Sequence, residues 1–526
     1  MRTIFLFVAL VFSVLCNAQT LSDANRMSDN EQFESAKNAF EQLINGAPVN
    51  GTYYYYSGKS FLKNENVESA KAKFDTGIKA DPNNPLNYVG LGHILYQQGN
   101  TAEANNNFFK AKTLAASKNA NVLIEIAEVF ITSEVKNIPE AQNLLNQAAK
   151  LDPKNPEVFI LMGDANLEMN DGGKAIANYE KAVDMDKKSA KAKLRIGQLF
   201  GRAKNYNLSL DYYKEAVKID STFAPAYRQM AELYFKAGQA EKAASNYQKY
   251  LKLNDNLSAR IRYASFKFVS KDYKTAISEI AEIQKKDSTD VNLFRLLGYC
   301  YYEVGDYGKG IMKMDKFFSL TNNSGKKIFP SDFEYLGKNQ VKGGKDSLGI
   351  MNLLKAYQMD TSKIELYSEI GMAYSRQKKY PQAITFLEKK IALDKKGGNG
   401  NDFFYLGKAY YFSKDYVKAD SAFSKLMRSN PNLPMGYFWK ARCVVQNDPD
   451  SKQGLAKPYY EKHIEKVGTE IEKNKKDLVE SYQYLAVYNY VVPKDYAKAK
   501  EMWLKVKELD PQNKSANDAL KDPKLK

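Results

Sequence analysis

Cysteine is scarce in this chain, 3 in 526 residues, and histidine and tryptophan are scarcer still at 2 each. His93 and His463 lie far apart, so neither a histidine-rich metal site nor a Ser-His-Asp set can be assembled from near neighbours. Cys300 and Cys443, four units apart, lie beyond disulfide reach unless the superhelix folds back, and both are read as small core residues. Long apolar runs are also missing. The longest, IFLFVALVFSVL over residues 4–15, is too short to span a bilayer and fits the core of a secretory signal peptide over 1–18. Cys16 and Ala18 then sit at the small positions before cleavage at Gln19, and no later stretch could anchor the mature chain. Lipidation of Cys16 is the weaker alternative, because the large Leu15 precedes it.

Phosphate loops and carboxylate pairs are equally poorly supported. Gly343-Gly344-Lys345 follows no strand pattern, and Asp184 with Asp186 reads as a helix end. The sequence therefore predicts no enzyme, no cofactor and no metal. The net charge of +17 favours anionic partners, but the charges alternate along helix faces (Lys71, Lys73, Asp75; Glu241, Lys242). That spacing describes solvated surface and argues against a nucleic-acid patch.

What the chain has in quantity is aromatics, 37 Tyr and 27 Phe, and an internal repeat. In residues 53–84, YYYYSGKSFLKNENVESAKAKFDTGIKADPNN, apolar and small residues recur every three to four positions in two runs. Two short amphipathic helices follow, with Gly58 and Ala70 where they cross and Phe74 filling the gap left beside them. Asp81-Pro82 ends the unit, and Asn84-Pro85 caps and opens the next helix. The same small-residue pair returns at Gly92 and Ala104, Gly163 and Ala175, Ala231 and Ala243, Gly371 and Ala383, and Gly407 and Ala419.

This pattern resembles the tetratricopeptide repeat, a 34-residue helix–turn–helix unit. Regular anchors at Gly58, Gly92, Gly163, Gly197, Ala231, Ala264, Gly298, Gly337, Gly371, Gly407 and Ala441, with irregular copies near Ala127 and Ala486, give about thirteen units over 51–513. The resemblance implies an all-α fold, a right-handed alpha-solenoid superhelix in which each unit buries its seam against its neighbours. A degenerate repeat or cap occupies 19–50, with a second helix over 32–44, and a capping helix and tail occupy 514–526. Irregular joints are expected near 133–139, 323–329, 395–402 and 448–478. Ser209, Gly310 and Gly349 replace the alanine usual where the helices cross, and those units are expected to pack less tightly. The run WKARCVVQNDPDSKQGLAKPYYEKHIE, starting at Trp439, resembles a variant final repeat of exported Bacteroidota-type members.

First helices of this family line a concave groove. The resemblance places Tyr55, Lys59, Tyr96, Arg228, Phe235, Tyr299, Tyr302, Phe404, Tyr411, Phe438 and Arg442 there. Aromatic rings beside basic groups suit extended peptides. The lysine–asparagine pair of the chaperone-binding carboxylate clamp is absent, since Tyr55 stands with Lys59 and Arg228 with Glu232. The expected function is a non-catalytic interaction scaffold, periplasmic or secreted, holding an envelope protein or peptide. The alternative is a module for carbohydrate or another anionic polymer.

Overall fold

The computed structural model describes residues 20–116, 118–286, 290–321 and 327–525. The expected signal peptide over 1–18, Cys16 included, and part of the 323–329 joint lie outside the described residues. The described residues form helices and turns without strand. Helices follow one another in antiparallel hairpins, and the chain divides into two compact units, Met1–Ser288 and Thr289–Lys526.

In the first unit the pair Gly51–Lys63 and Val67–Ala80 sets the grammar. Asn50 and Asn66 accept hydrogen bonds from Thr52 N and Ser69 N, satisfying donors that the first helical turn leaves unpaired. Asn84 then caps Pro85–Gln97, whose opening proline needs no donor. Six more hairpins follow from Gly51 to Lys286, so this unit carries seven beyond residue 50. One further pair precedes them, Leu21–Asp29 and Phe33–Gly46. Its second helix is readable in the sequence; its first is fixed by a Thr20–Asp23 capping box in a stretch with little apolar periodicity.

The second unit holds six hairpins from Val291 to Leu509 and closes on the six-residue helix Lys514–Ala519. The 395–402 connector turns on Gly397 and Gly398, at φ +76° and +93°, which a side chain would strain. Within 448–478, Asp448 accepts from the backbone of Gln453 and Leu455 to close a compact loop. The residues after Gly468 extend the next helix, Ile471–Val491, to 21 residues.

Close approach of paired helices depends on small residues facing large ones. A Cβ on Gly58 would lie 2.3 Å from Phe74 Cε1, and one on Gly90 of the next hairpin 2.5 Å from the same ring. Phe74 is thus clamped between two hairpins and has no exposure. Gly92 with Phe108, Gly163 with Tyr179, Gly197 with Tyr213 and Gly407 with Phe423 repeat the arrangement. Where Met314, Leu353 or Leu387 stands in for the ring, Gly298, Gly337 and Gly371 face it in the same way.

The expectation of looser packing at the three departures does not hold. Ser209 Oγ donates to Gly197 O at 2.7 Å inside the hairpin. At Gly310 a Cβ would lie 2.1 Å from Asn339 Oδ1, and at Gly349 2.4 Å from Val341 Cγ2. A neighbouring side chain takes up the missing volume in each glycine case, so density is conserved.

Candidate interaction faces

Successive first helices touch along each unit and present a continuous face. In the first unit that face is charged and internally neutralised. Tyr55 Oη donates to Glu125 Oε2 at 2.6 Å, and Lys59 Nζ bridges Glu125 at 2.5 Å and Glu128 at 2.6 Å. Burial pushes the Glu125 carboxyl up, against the pull of Lys59. Burial acts on Glu128 too, but Lys59, Lys191 and Lys63 outweigh it and hold that carboxyl low. Lys191 reaches Glu157 at 2.5 Å, and Arg195 lies 3.1 Å from Asp164.

Farther along, a cleft of about 520 Å³ is lined by Lys136, Asp164, Glu168, Arg195, Arg202 and Glu232 among others. Most of its charges are paired within the chain, Lys136 and Arg202 with Glu168 and Glu232 with Arg262, while the exposed Lys236 at its edge makes no ion pair among the described residues.

The turn of the first hairpin docks on the same unit. Asp29 takes Lys63 at 2.5 Å, Asn30 Nδ2 donates to Asp220 Oδ2 at 2.8 Å and Thr222 Oγ1 at 2.9 Å, and Glu31 takes Arg228 at 2.5 Å. Desolvation pushes the Asp29 carboxyl up, but Lys63 and Lys191 outweigh it and hold it below the usual range. Residues 29–31 thus occupy surface that the sequence reading left open around Arg228.

Of the other expected groove residues in this unit, Tyr96 packs in the core on Phe108 and Phe130, and Phe235 packs edge-on to Phe266. Burial drives the His93 imidazole down to about 4, so it stays neutral.

In the second unit, Tyr299 Oη donates to Asp332 Oδ1 at 2.6 Å while its ring stacks on Tyr335 at 4.0 Å. Tyr302 meets the edge of Tyr335 at 5.6 Å. The remaining four, Phe404, Tyr411, Phe438 and Arg442, gather around Trp439. The Tyr411 and Phe438 rings lie 5.4 and 6.1 Å from the indole, and the Arg442 guanidinium sits 4.8 Å from it. Phe438 itself is core, 1% exposed. Arg442 makes a two-point pair with Glu480, Nε to Oε1 at 2.7 Å, and Tyr460 Oη also donates to Glu480.

Sequence reading passed over Glu125, Glu128 and Lys408. Two acids three apart in the apolar helix Ala120–Thr132 were a usable signal; Lys408, four after Phe404 and three before Tyr411, shares their helix face.

Among the described residues no group of three His, Cys, Asp or Glu side chains could hold a metal ion, and no helix is long and apolar enough to cross a membrane. Cys300 and Cys443 are free and buried, their thiols pushed up to about 12 by burial.

Stacked hairpins with a small residue facing a large one define an α-solenoid repeat protein. Family models described as tetratricopeptide repeat match residues 24–85, 57–111, 160–222, 364–396 and 403–432, and the chain belongs to the tetratricopeptide repeat family. Among solved structures it is similar to the C-terminal part of a TPR repeat-containing protein from Cytophaga hutchinsonii, at 38% identity and TM-score 0.44, covering 50% of this chain and 100% of that one. A tetratricopeptide repeat protein from Parabacteroides merdae is 16% identical at TM-score 0.32, over 48% of this chain and 98% of that one. YrrB, described as a TPR protein with an unusual peptide-binding site, is 18% identical at TM-score 0.31, over 34% and 93%. No curated protein matches the chain. Membership of this family supports a protein-interaction scaffold in general terms.

Proposed function

We propose that the chain is a non-catalytic scaffold of the bacterial cell envelope that holds a partner protein or peptide along the first-helix face of its second unit. The observation that carries this reading is the contrast between the two faces. In the first unit Tyr55, Lys59 and Arg228 are engaged by the chain's own acids, and the 29–31 turn covers part of the surface. In the second, Glu480 takes Arg442 and Asp332 takes Tyr299, but Tyr302, Phe404 and Tyr411 remain half-buried, and Lys408, 5.3 Å from the Phe404 ring, has no direct ion pair among the described residues. Rigid rings bury area at low entropic cost, which suits an extended segment. Export rests on the sequence of residues 1–18 alone.

The test is recovery of a partner from native envelope extract by the full chain, compared with Tyr302→Ala and Arg442→Ala. Loss of the same partner in both variants is expected. Recovery unchanged in both contradicts placement on this face.

A further inference from the structure

Lys408 differs from Lys59, Lys191, Arg195, Arg228 and Arg442, each of which takes an acid. Its Nζ makes no hydrogen bond or ion pair among the described residues, although its side chain is half-buried between two rings, 5.3 Å from the Phe404 centroid and 5.1 Å from that of Trp439. An ammonium carries three donors and loses hydration when enclosed, and a ring face compensates only in part. No neighbouring acid among the described residues reaches its Nζ in a direct ion pair. Arg442 already takes Glu480, whose Oε1 also accepts from Tyr460. Asp477, one helical turn before Glu480, lies near enough to act on Lys408 electrostatically but makes no ion pair with it, and burial pushes its carboxyl up.

A second group in this cluster is also unmatched. Trp439 is 5% exposed, and its buried Nε1–H has no acceptor. A buried donor without a partner costs about 1–3 kcal/mol and marks a place where one is missing. Two donors of one cluster, one charged and one neutral, therefore lack an acceptor, on the face where the aromatic groove residues converge.

Resting on the placement of the partner on this face, we infer that Lys408 anchors a carboxylate, the side chain of an Asp or Glu within an extended partner segment. The charge decides the class. An ammonium with no direct ion-pair partner, beside Glu480 and Asp477, can still take a monovalent carboxylate, whereas a phosphate ester, at about −1.5 to −2, would repel those two acids more strongly. The setting decides the position. Phe404 and Trp439 stand on either side of the ammonium, and Tyr411 with the 45%-exposed Phe412 extends the apolar surface, so the acid fits between apolar residues of a continuing chain. Burial, and Arg442 after it, lower the Lys408 pKa, and a bound carboxylate reverses that direction.

The probe is acetyl-Phe-Glu-Phe-amide, with acetyl-Phe-Gln-Phe-amide and a Phe-Gln-Phe peptide bearing a free C-terminus as matched arms. Each is titrated into the full chain with reductively ¹³C-methylated lysines and followed by NMR. The Lys408 methyl resonance is expected to shift saturably with the Glu peptide and at least roughly tenfold more weakly with the Gln amide. Read instead from the Trp439 indole resonance, which both variants retain, Lys408→Met removes that preference and Lys408→Arg keeps it, while the circular dichroism of both stays native. Equal shifts with Glu and Gln amides, or a preference surviving in Lys408→Met, overturn the assignment; a preference for the free C-terminus overturns the side-chain reading in favour of a chain terminus. Partner recovery that depends on Tyr302 and Arg442 but not on Lys408 removes the acid anchor and leaves the scaffold reading standing.

Discussion

Arg228 Nη2 holds Glu31 Oε1 at 2.5 Å, although 197 positions separate the two residues. With Asn30 on Asp220 and Thr222, this pair fastens the opening hairpin to the sixth hairpin beyond it. The Arg228 pair is partly exposed and worth roughly 0–1 kcal/mol, and the buried Asn30, donating to a carboxylate, adds about 1.5–3 kcal/mol, so they hold a local element in place without dominating global stability.

The double variant Asn30→Ala, Arg228→Ala is therefore expected to speed amide exchange in Leu21–Asp29 by about ten- to a hundredfold while the midpoint of thermal unfolding barely moves. Hydrogen exchange with mass spectrometry reads both quantities. Unchanged exchange in that helix refutes the fastening role.

Small residues at the crossings give an opposed pair of outcomes. Gly58→Ala is expected to destabilise by about 1–3 kcal/mol, because its methyl meets Phe74 from 2.3 Å and that ring is clamped on its other side by Gly90. Gly308→Ala, inside the helix Tyr307–Thr321 with nothing within 4 Å of its Cβ, is expected to stabilise by about 0.5–1 kcal/mol. Urea unfolding of the two variants checks both signs.

The histidines set a pH window. His463, fully buried with Nδ1 2.9 Å from Ser481 Oγ, is driven by burial down to about 4, as is His93. A lowered folded value means that the unfolded chain binds the proton first, so stability falls as pH drops from about 6.5 to about 4 and levels off below. For His463 this amounts to about 3 kcal/mol. His463→Leu is expected to lose less stability than the parent between pH 7 and pH 4.5, and NMR titration should place both imidazoles near 4.

Burial also silences the thiols. Cys300 and Cys443 are expected to react with a thiol-specific disulfide reagent only after denaturation, at more than a hundredfold higher rate than in the native chain. Rapid labelling at neutral pH without unfolding contradicts their place in the core.

How far the sequence could be read follows from which contacts are local. Gly58 and Phe74 lie within one hairpin, and their relationship recurs, so hairpin architecture is visible as periodicity. Helix Leu21–Asp29 has a capping box but few apolar residues, and its docking depends on partners some 190 positions away that no period links. Within a single repeat neither Lys59 nor Arg228 pairs with an acid among the described residues. Their acids, Glu125 and Glu31, belong to other hairpins. Gly310 misled for the same reason, since the side chain filling its space, Asn339, comes from the next hairpin.

The central claim, a partner held on the first-helix face of the second unit, is tested most directly by site-specific photocrosslinking in the native cell. A photoreactive phenylalanine is placed at Tyr411 on that face, and at Val417, 78% exposed on the second helix of the same hairpin, as control. The account predicts one discrete adduct from position 411 that is absent from position 417. The same adducts from both positions, or an adduct from position 417 alone, would contradict it.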